Sequence, residues 1–128
     1  MTDSQYIAIL DIGSTNIHAS IYSEDGQLLD HTAKRLSIID NLEGQIEIDP
    51  QLVFSESIDI LKVIFEKNSI KKQNLLSLGL STHRNSFLLW DKITGKPFCN
   101  LIGWNDKRAA KVAHAWNFSI PIRVCYTL

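Results

Sequence analysis

Over the first third of the chain the apolar positions fall in short blocks or alternate with polar ones, which is the signature of strands rather than helices. Tyr6-Ile-Ala-Ile-Leu10 is a continuous apolar run ending in Asp11. Its length and β-branched content predict a strand buried on both faces. Asp11-Ile12-Gly13-Ser14-Thr15-Asn16 is dense in turn formers. Beyond it Ile17, Ala19 and Ile21 alternate with His18, Ser20 and Tyr22, the period of a strand with one wetter face. Glu24-Asp25-Gly26 predicts a hairpin turn, because glycine takes positive φ at little steric cost. A third strand from Gln27 to about Arg35 completes an antiparallel meander.

The pattern then changes. Residues 37–47 read as loop, and Asp49-Pro50 supplies a helix start with Asp as N-cap and Pro in the first helical position. Phe54, Ile58, Leu61 and Phe65 follow at helical spacing and form one apolar stripe, with Asn68 as the C-cap. Leu75 to Ser81 predicts a second buried strand with Thr82-His83-Arg84-Asn85 as its polar exit, and Ser86 to Trp90 another strand. Asp91 to Gly95 reads as a hairpin turn leading to Phe98 and Leu101. Asn105 or Asp106 caps a final helix in which Ala109, Val112, Ala113 and Trp116 share a face, and Phe118-Ser-Ile-Pro121 breaks it. Strands first and helices later, with no internal repeat, predict an α/β or α+β layer architecture.

Composition narrows the function classes. At 128 residues, 45% apolar and 21% charged, the chain is one ordinary globular domain. Thirteen basic against fourteen acidic side chains give a formal charge of −1, which offers no electrostatic reason for a nucleic-acid partner or an anionic membrane. No apolar run is long enough to span a bilayer, and the polar start Met1 to Gln5 lacks the basic flank of a signal peptide. Cys99 and Cys125 have no metal-site or disulfide-framework spacing. Together these features predict a cytoplasmic setting.

Three segments carry candidate chemistry. In Asp11 to Thr15 a carboxylate ends a strand and a glycine turn with two hydroxyls follows. The N–H groups of such a turn can cradle an anion, Ser14 and Thr15 add donors, and Asp11 can hold Mg²⁺ through water. The same residues also suit a plain tight turn in which Asp11 satisfies nearby N–H groups. In Thr82 to Asn85, Arg84 offers directional donors and Asn85 both donor and acceptor, a set fitted to hydroxyl-rich small molecules. An exposed, solvated polar loop with His83 in a packing role is the alternative. In Trp104-Asn-Asp106-Lys-Arg108 the indole can wall the carbon face of a polyol. The alternative there is a core aromatic followed by a capped, solvated helical turn. No P-loop or Rossmann glycine signature, metal-ligand cluster or Ser/His/Asp arrangement is present.

Taken together and in order, several stretches resemble the N-terminal part of the FGGY carbohydrate kinases. They are Ala8-Ile-Leu-Asp11-Ile-Gly13-Ser-Thr15, Ile46-Glu-Ile-Asp49-Pro50 and Leu78-Gly-Leu-Ser-Thr82-His-Arg84. Trp90-Asp-Lys-Ile-Thr-Gly95-Lys-Pro97 and Asn100-Leu-Ile-Gly-Trp104-Asn-Asp106-Lys-Arg108 complete the series. Within the family they are similar to the glycerol kinases, and Ser81-Thr82 with the Ala115-Trp116-Asn117 ending resembles the glycerol kinase 5 branch. The resemblance implies a ribonuclease H-like domain of the actin/hexokinase ATPase type over residues 1–117, with a mixed sheet, helices packed on it and a divergent tail at 118–128. It implies transfer of the ATP γ-phosphoryl group, with Mg²⁺, to a hydroxyl of a polyol or sugar. By the same resemblance Asp11, Gly13, Ser14 and Thr15 hold the nucleotide phosphates and Mg²⁺, while Arg84, Asn85 and Trp104 meet the acceptor.

Two departures count against glycerol itself as that acceptor. His18 stands where glycerol kinases carry an arginine, and Asn85 where an acid follows the substrate arginine. The family's general base and adenosine site lie in segments these 128 residues do not contain, so no catalytic residue is assigned to the chain. The expectation is an inactive, shortened kinase chain: a splice form, a frameshift product or part of a longer coding sequence. A non-catalytic isoform that associates with full-length kinase subunits, as a binding or regulatory partner, is the second expectation.

Overall fold

The meander forms as the alternation predicts. In the computed structural model, which describes residues 5–40 and 44–118, strands β1 (Tyr6–Ile12), β2 (Asn16–Ser23) and β3 (Leu28–Arg35) pair antiparallel in sequence order. Two short strands follow, β4 (Ile39–Asp40) and β5 (Ile46–Ile48). Helix α1 (Pro50–Lys67) then crosses back to β6 (Leu75–Thr82), which lies parallel to β1. The principal sheet therefore runs β3-β2-β1-β6. A second, smaller sheet joins β4, β5 and β7 (Leu101–Ile102), and helix α2 (Ala110–Asn117) follows.

The core sits between the sheet and α1. Ala8 and Leu10 of β1, with Ile17, Ala19 and Ile21 of β2, close against Ile60, Leu61 and Ile64 of the helix. Burial of β1 is thus one-sided, not two-sided as its apolar run suggested, and Ile9 stays partly exposed on the far face. β6 departs further from the expected buried strand, since nearly all of it is exposed. Leu78 and Leu80 pair with Ala8 and Leu10 and so share the α1 side, but they lie at the sheet edge and remain solvent-exposed.

Local chemistry fixes the ends of α1 where the sequence placed them. The Asp49 carboxylate accepts from the Gln51 N–H at 2.8 Å, and Pro50 opens the helix. At the other end Ser69 N–H donates to Glu66 O and Ile70 N–H to Phe65 O, the pair of bonds that defines a Schellman motif. The buried face is rotated from the expected stripe by about one residue: Ser57, Ile60, Leu61 and Ile64 are buried, whereas Phe54 and Ile58 are exposed.

Elsewhere the expected loop at 37–47 contains β4 and the start of β5. The expected strand Ser86 to Trp90 is reduced to isolated bridges, Phe87 to Ile102 and Trp90 to Pro97. The Asp91 turn forms, its carboxylate accepting from the Ile93 and Thr94 N–H groups at 2.8 Å each. α2 begins later than expected, at Ala110, and neither Asn105 nor Asp106 caps it. Residues 119–128, most of the expected divergent tail, lie outside the described residues.

Candidate active site

The turn between β1 and β2 is shaped by one glycine. Gly13 N–H donates to Asn16 O at 2.9 Å, and a Cβ at residue 13 would stand 2.7 Å from that oxygen. Only glycine lets the turn close this tightly. The Thr15 carbonyl accepts from Leu36 N–H at 2.8 Å, which fastens the exit of β3 to the turn. Asp11 is half-buried on the sheet face opposite the core. Among the described residues its carboxylate has no hydrogen-bond or ion-pair partner. It therefore does not satisfy the N–H groups of the turn, as it would in a plain tight turn.

The exit of β6 meets the same end of the sheet. His83 donates its backbone N–H to Ile12 O at 2.9 Å, and its Nδ1 lies 3.1 Å from that oxygen. His83 is thus a packing residue tied to the end of β1. Asn85 takes the left-handed conformation, φ +63°, which Asn tolerates better than most side chains. Next to it Ser86 Oγ accepts from the Trp104 N–H at 3.0 Å, and Phe87 exchanges two backbone hydrogen bonds with Ile102. Arg84 and Asn85 are consequently bracketed by ties to β1 on one side and to the Trp104 segment on the other. This is the carboxyl end of two adjacent parallel strands, where open α/β sheets place their ligands.

A cleft of about 320 Å³ opens beside the turn. Ser14 and Thr15 line it together with Trp104 and Asn105, over a floor of Ile38, Ile46 and Ile48. Two candidate segments far apart in sequence therefore share one space. Asp11, Arg84 and Asn85 are not among the lining residues. Arg35 and Asp40, which sequence reasoning missed, are. The signal for Arg35 was the meander itself, whose register sets it opposite Asn16.

Trp104 is exposed rather than a core aromatic, and its segment is held by an ion-pair network in which the Asp106 carboxylate is covered while Arg108 stays exposed. Arg108 donates to both oxygens of Asp106 at 2.8–2.9 Å and to Glu47 at 2.6 Å. Asp106 also accepts from the Ile46 N–H at 2.7 Å, and Glu47 from Asn100 at 2.8 Å. The Arg108 guanidinium holds the Asp106 carboxyl well below its ordinary range and lowers that of Glu47, and they in turn raise its own pKa. The network locks β5 to the loop that carries the indole.

Among the described residues no three His, Cys, Asp or Glu side chains gather as a metal site, and no helix is long and apolar enough to cross a membrane. The single unpartnered carboxylate of Asp11 fits Mg²⁺ in one way. That ion takes one or two protein carboxylates, several waters and the oxygens of a nucleotide.

Comparison with known proteins decides the family. Residues 6–126 match the FGGY family of carbohydrate kinases, N-terminal domain. The chain belongs to this family. This FGGY domain is 28% identical over 123 residues to glycerol kinase 5 of Gallus gallus, covering 96% of the chain and 24% of that protein. It is 31% identical over 109 residues to glycerol kinase of Caldanaerobacter subterraneus subsp. tengcongensis, covering 85% and 22%. It spans about a quarter of the length of the curated relatives it matches. Among solved structures it is similar to a gluconate kinase from Lactobacillus acidophilus, with TM-score 0.75 and 22% identity over 88% of the chain and 22% of that one. Plasmodium falciparum glycerol kinase with ADP gives TM-score 0.72 and 21% identity, covering 88% and 23%. These likenesses establish the actin/hexokinase-type fold of the FGGY domain.

Proposed function

We propose that these 128 residues form the phosphate-holding and acceptor-facing wall of an ATP-dependent polyol or sugar kinase, one that passes the γ-phosphoryl group of ATP to a substrate hydroxyl. The observation that carries the reading is the shared cleft: the hydroxyl-bearing turn at Ser14 and Thr15 and the indole of Trp104 open onto one space. Membership of the FGGY family supports the reaction class. The ADP in the Plasmodium falciparum glycerol kinase structure supports the nucleotide. Relatives named glycerol kinase and a neighbour named gluconate kinase support an acceptor rich in hydroxyl groups. A cytoplasmic setting belongs to the same reading.

Phosphoryl transfer asks a protein chiefly for position and for countercharge. The N–H groups and hydroxyls of Ser14 and Thr15 donate to phosphate oxygens, the Gly13 N–H being taken by Asn16 O, and Asp11 would hold the metal through water. Mg²⁺, when bound with ATP, neutralises phosphate charge. Arg84 and Asn85 orient acceptor hydroxyls, and Trp104 excludes water from the carbon face. The general base and the opposing wall come from family segments outside this chain. General-base assistance is worth roughly 10²–10⁴ in rate, so the chain alone binds without appreciable turnover.

The test is calorimetric and enzymatic. The 128-residue chain is expected to bind MgATP, to lose most of that affinity in Asp11→Asn, and to phosphorylate no member of a polyol and sugar panel. Absence of MgATP binding defeats the proposal, and robust turnover defeats its inactive-chain part. The exposed, uncharged β6 edge favours a second role, association with a full-length kinase chain. Mixing the two and finding unchanged activity and no co-sedimentation would exclude it.

A further inference from the structure

We infer that Arg35 is the cation that contacts the transferring phosphoryl group in this cleft. The inference rests on the phosphoryl-transfer reading above and adds a residue to it. Backbone geometry gives the first support. Arg35 pairs with Asn16 across the β2–β3 ladder, and its neighbour Leu36 is bonded to the Thr15 carbonyl at 2.8 Å. The last residue of β3 is therefore fastened directly to the hydroxyl-bearing turn, and Arg35 lines the cleft with Ser14 and Thr15.

The second support is that this guanidinium is unspent. Lys34 pairs with Glu56 of α1, Lys67 with Asp30, and Arg108 with Glu47 and Asp106. Arg35 makes no hydrogen bond or ion pair among the described residues. Asp40 lines the same cleft, yet the two are not ion-paired. Nor does the other basic side chain beside the turn serve. The Nδ1 of His18 lies 3.2 Å from His31 Nε2, and the two rings are stacked at 5.4 Å. An arginine presents two N–H groups in the plane that matches two phosphate oxygens. Arg35 exchanges no proton in this role; it supplies fixed charge as the bond to the leaving oxygen lengthens.

Calorimetry on the 128-residue chain tests the assignment, with MgATP, MgADP and sodium gluconate as probes. Arg35→Gln is expected to weaken MgATP about tenfold and MgADP less, with Arg35→Lys between. Arg35 is exposed, and an unchanged thermal melt of each variant verifies that the fold is intact. Equal MgATP affinity in Arg35→Gln and the parent overturns the inference. So does a loss confined to gluconate, which would place the bound oxyanion on the acceptor. If Asp11→Asn weakens MgATP and Arg35→Gln does not, the kinase reading stands and only the Arg35 assignment falls. If the parent chain binds no MgATP, both fall together.

Discussion

Gly13 shows how much of the site rests on a single missing atom. With a Cβ 2.7 Å from a backbone oxygen, Gly13→Ala must open the turn, at a cost of about 1–3 kcal/mol. Urea denaturation should record that loss, and MgATP affinity should fall with it. Ser69 presents the opposite case. It occupies the left-handed C′ position of α1 at φ +53°, where side chains other than Gly and Asn are penalised. Ser69→Gly is expected to stabilise the fold by about 0.5–1 kcal/mol in the same assay. Asp30 carries a pH signature. Lys67, then Asn68, donate to its carboxylate and lower its pKa from 3.8 to about 2. The unfolded chain therefore binds the proton first as pH falls. The stabilisation is complete above about pH 4 and is lost between pH 4 and pH 2. Denaturation midpoints in that window should fall less steeply with acid in Asp30→Asn than in the parent.

At the scale of elements, α1 separates what is local from what is not. Its ends follow from residues within a few positions of each other, Asp49 with Gln51 and Asn68 with Ile64, so a reading of short spacings finds them. Its buried face does not. Phe54, Ile58, Leu61 and Phe65 make one apolar stripe, and Val53, Ser57, Ile60 and Ile64 make another about 100° away. The sheet takes the second together with Leu61 from the first, and leaves Phe54 and Ile58 outside. Ile64→Ala, at a position with 0% exposure, should cost about 2–5 kcal/mol. Phe54→Ala, at 66% exposure, should stay within about 0.5 kcal/mol. Equal losses would return the core to the first stripe. The same distinction governs the site. Asp11 to Thr15, Arg84 and Trp104 stood out as compact motifs, but that Ser14 and Trp104 share a cleft is a fact of the tertiary fold. So is the Arg108 network, which reaches Glu47 across 61 positions. Arg35 and Asp40 belong to no motif, and only strand register brings the first of them to the turn. β4 and β7 are two residues each, too short for any periodicity to mark.

At the scale of the whole molecule the two edges of the principal sheet are treated differently. β3 carries Asp30, His31, Lys34 and Arg35 along its length, and edge charges of this kind discourage pairing with another chain. β6, at the opposite edge, reads Leu-Leu-Ser-Leu-Gly-Leu-Ser-Thr, with no charge and no proline. Among the described residues its outer backbone groups have no neighbouring strand, and Leu76, Leu78 and Leu80 are exposed beside them. An uncharged, apolar, eight-residue edge offers both a hydrogen-bonding template and apolar area to bury. The 128-residue chain should therefore self-associate in a concentration-dependent way through β6. Leu80 is the residue to change, because at 65% exposure it adds little to the core. Leu80→Lys should place a charge on the edge, leave the melting temperature nearly unchanged and shift sedimentation toward the monomer. A chain that sediments as a monomer at every concentration, or a lysine variant that associates as strongly as the parent, would show that this edge is already protected by its twist and solvation.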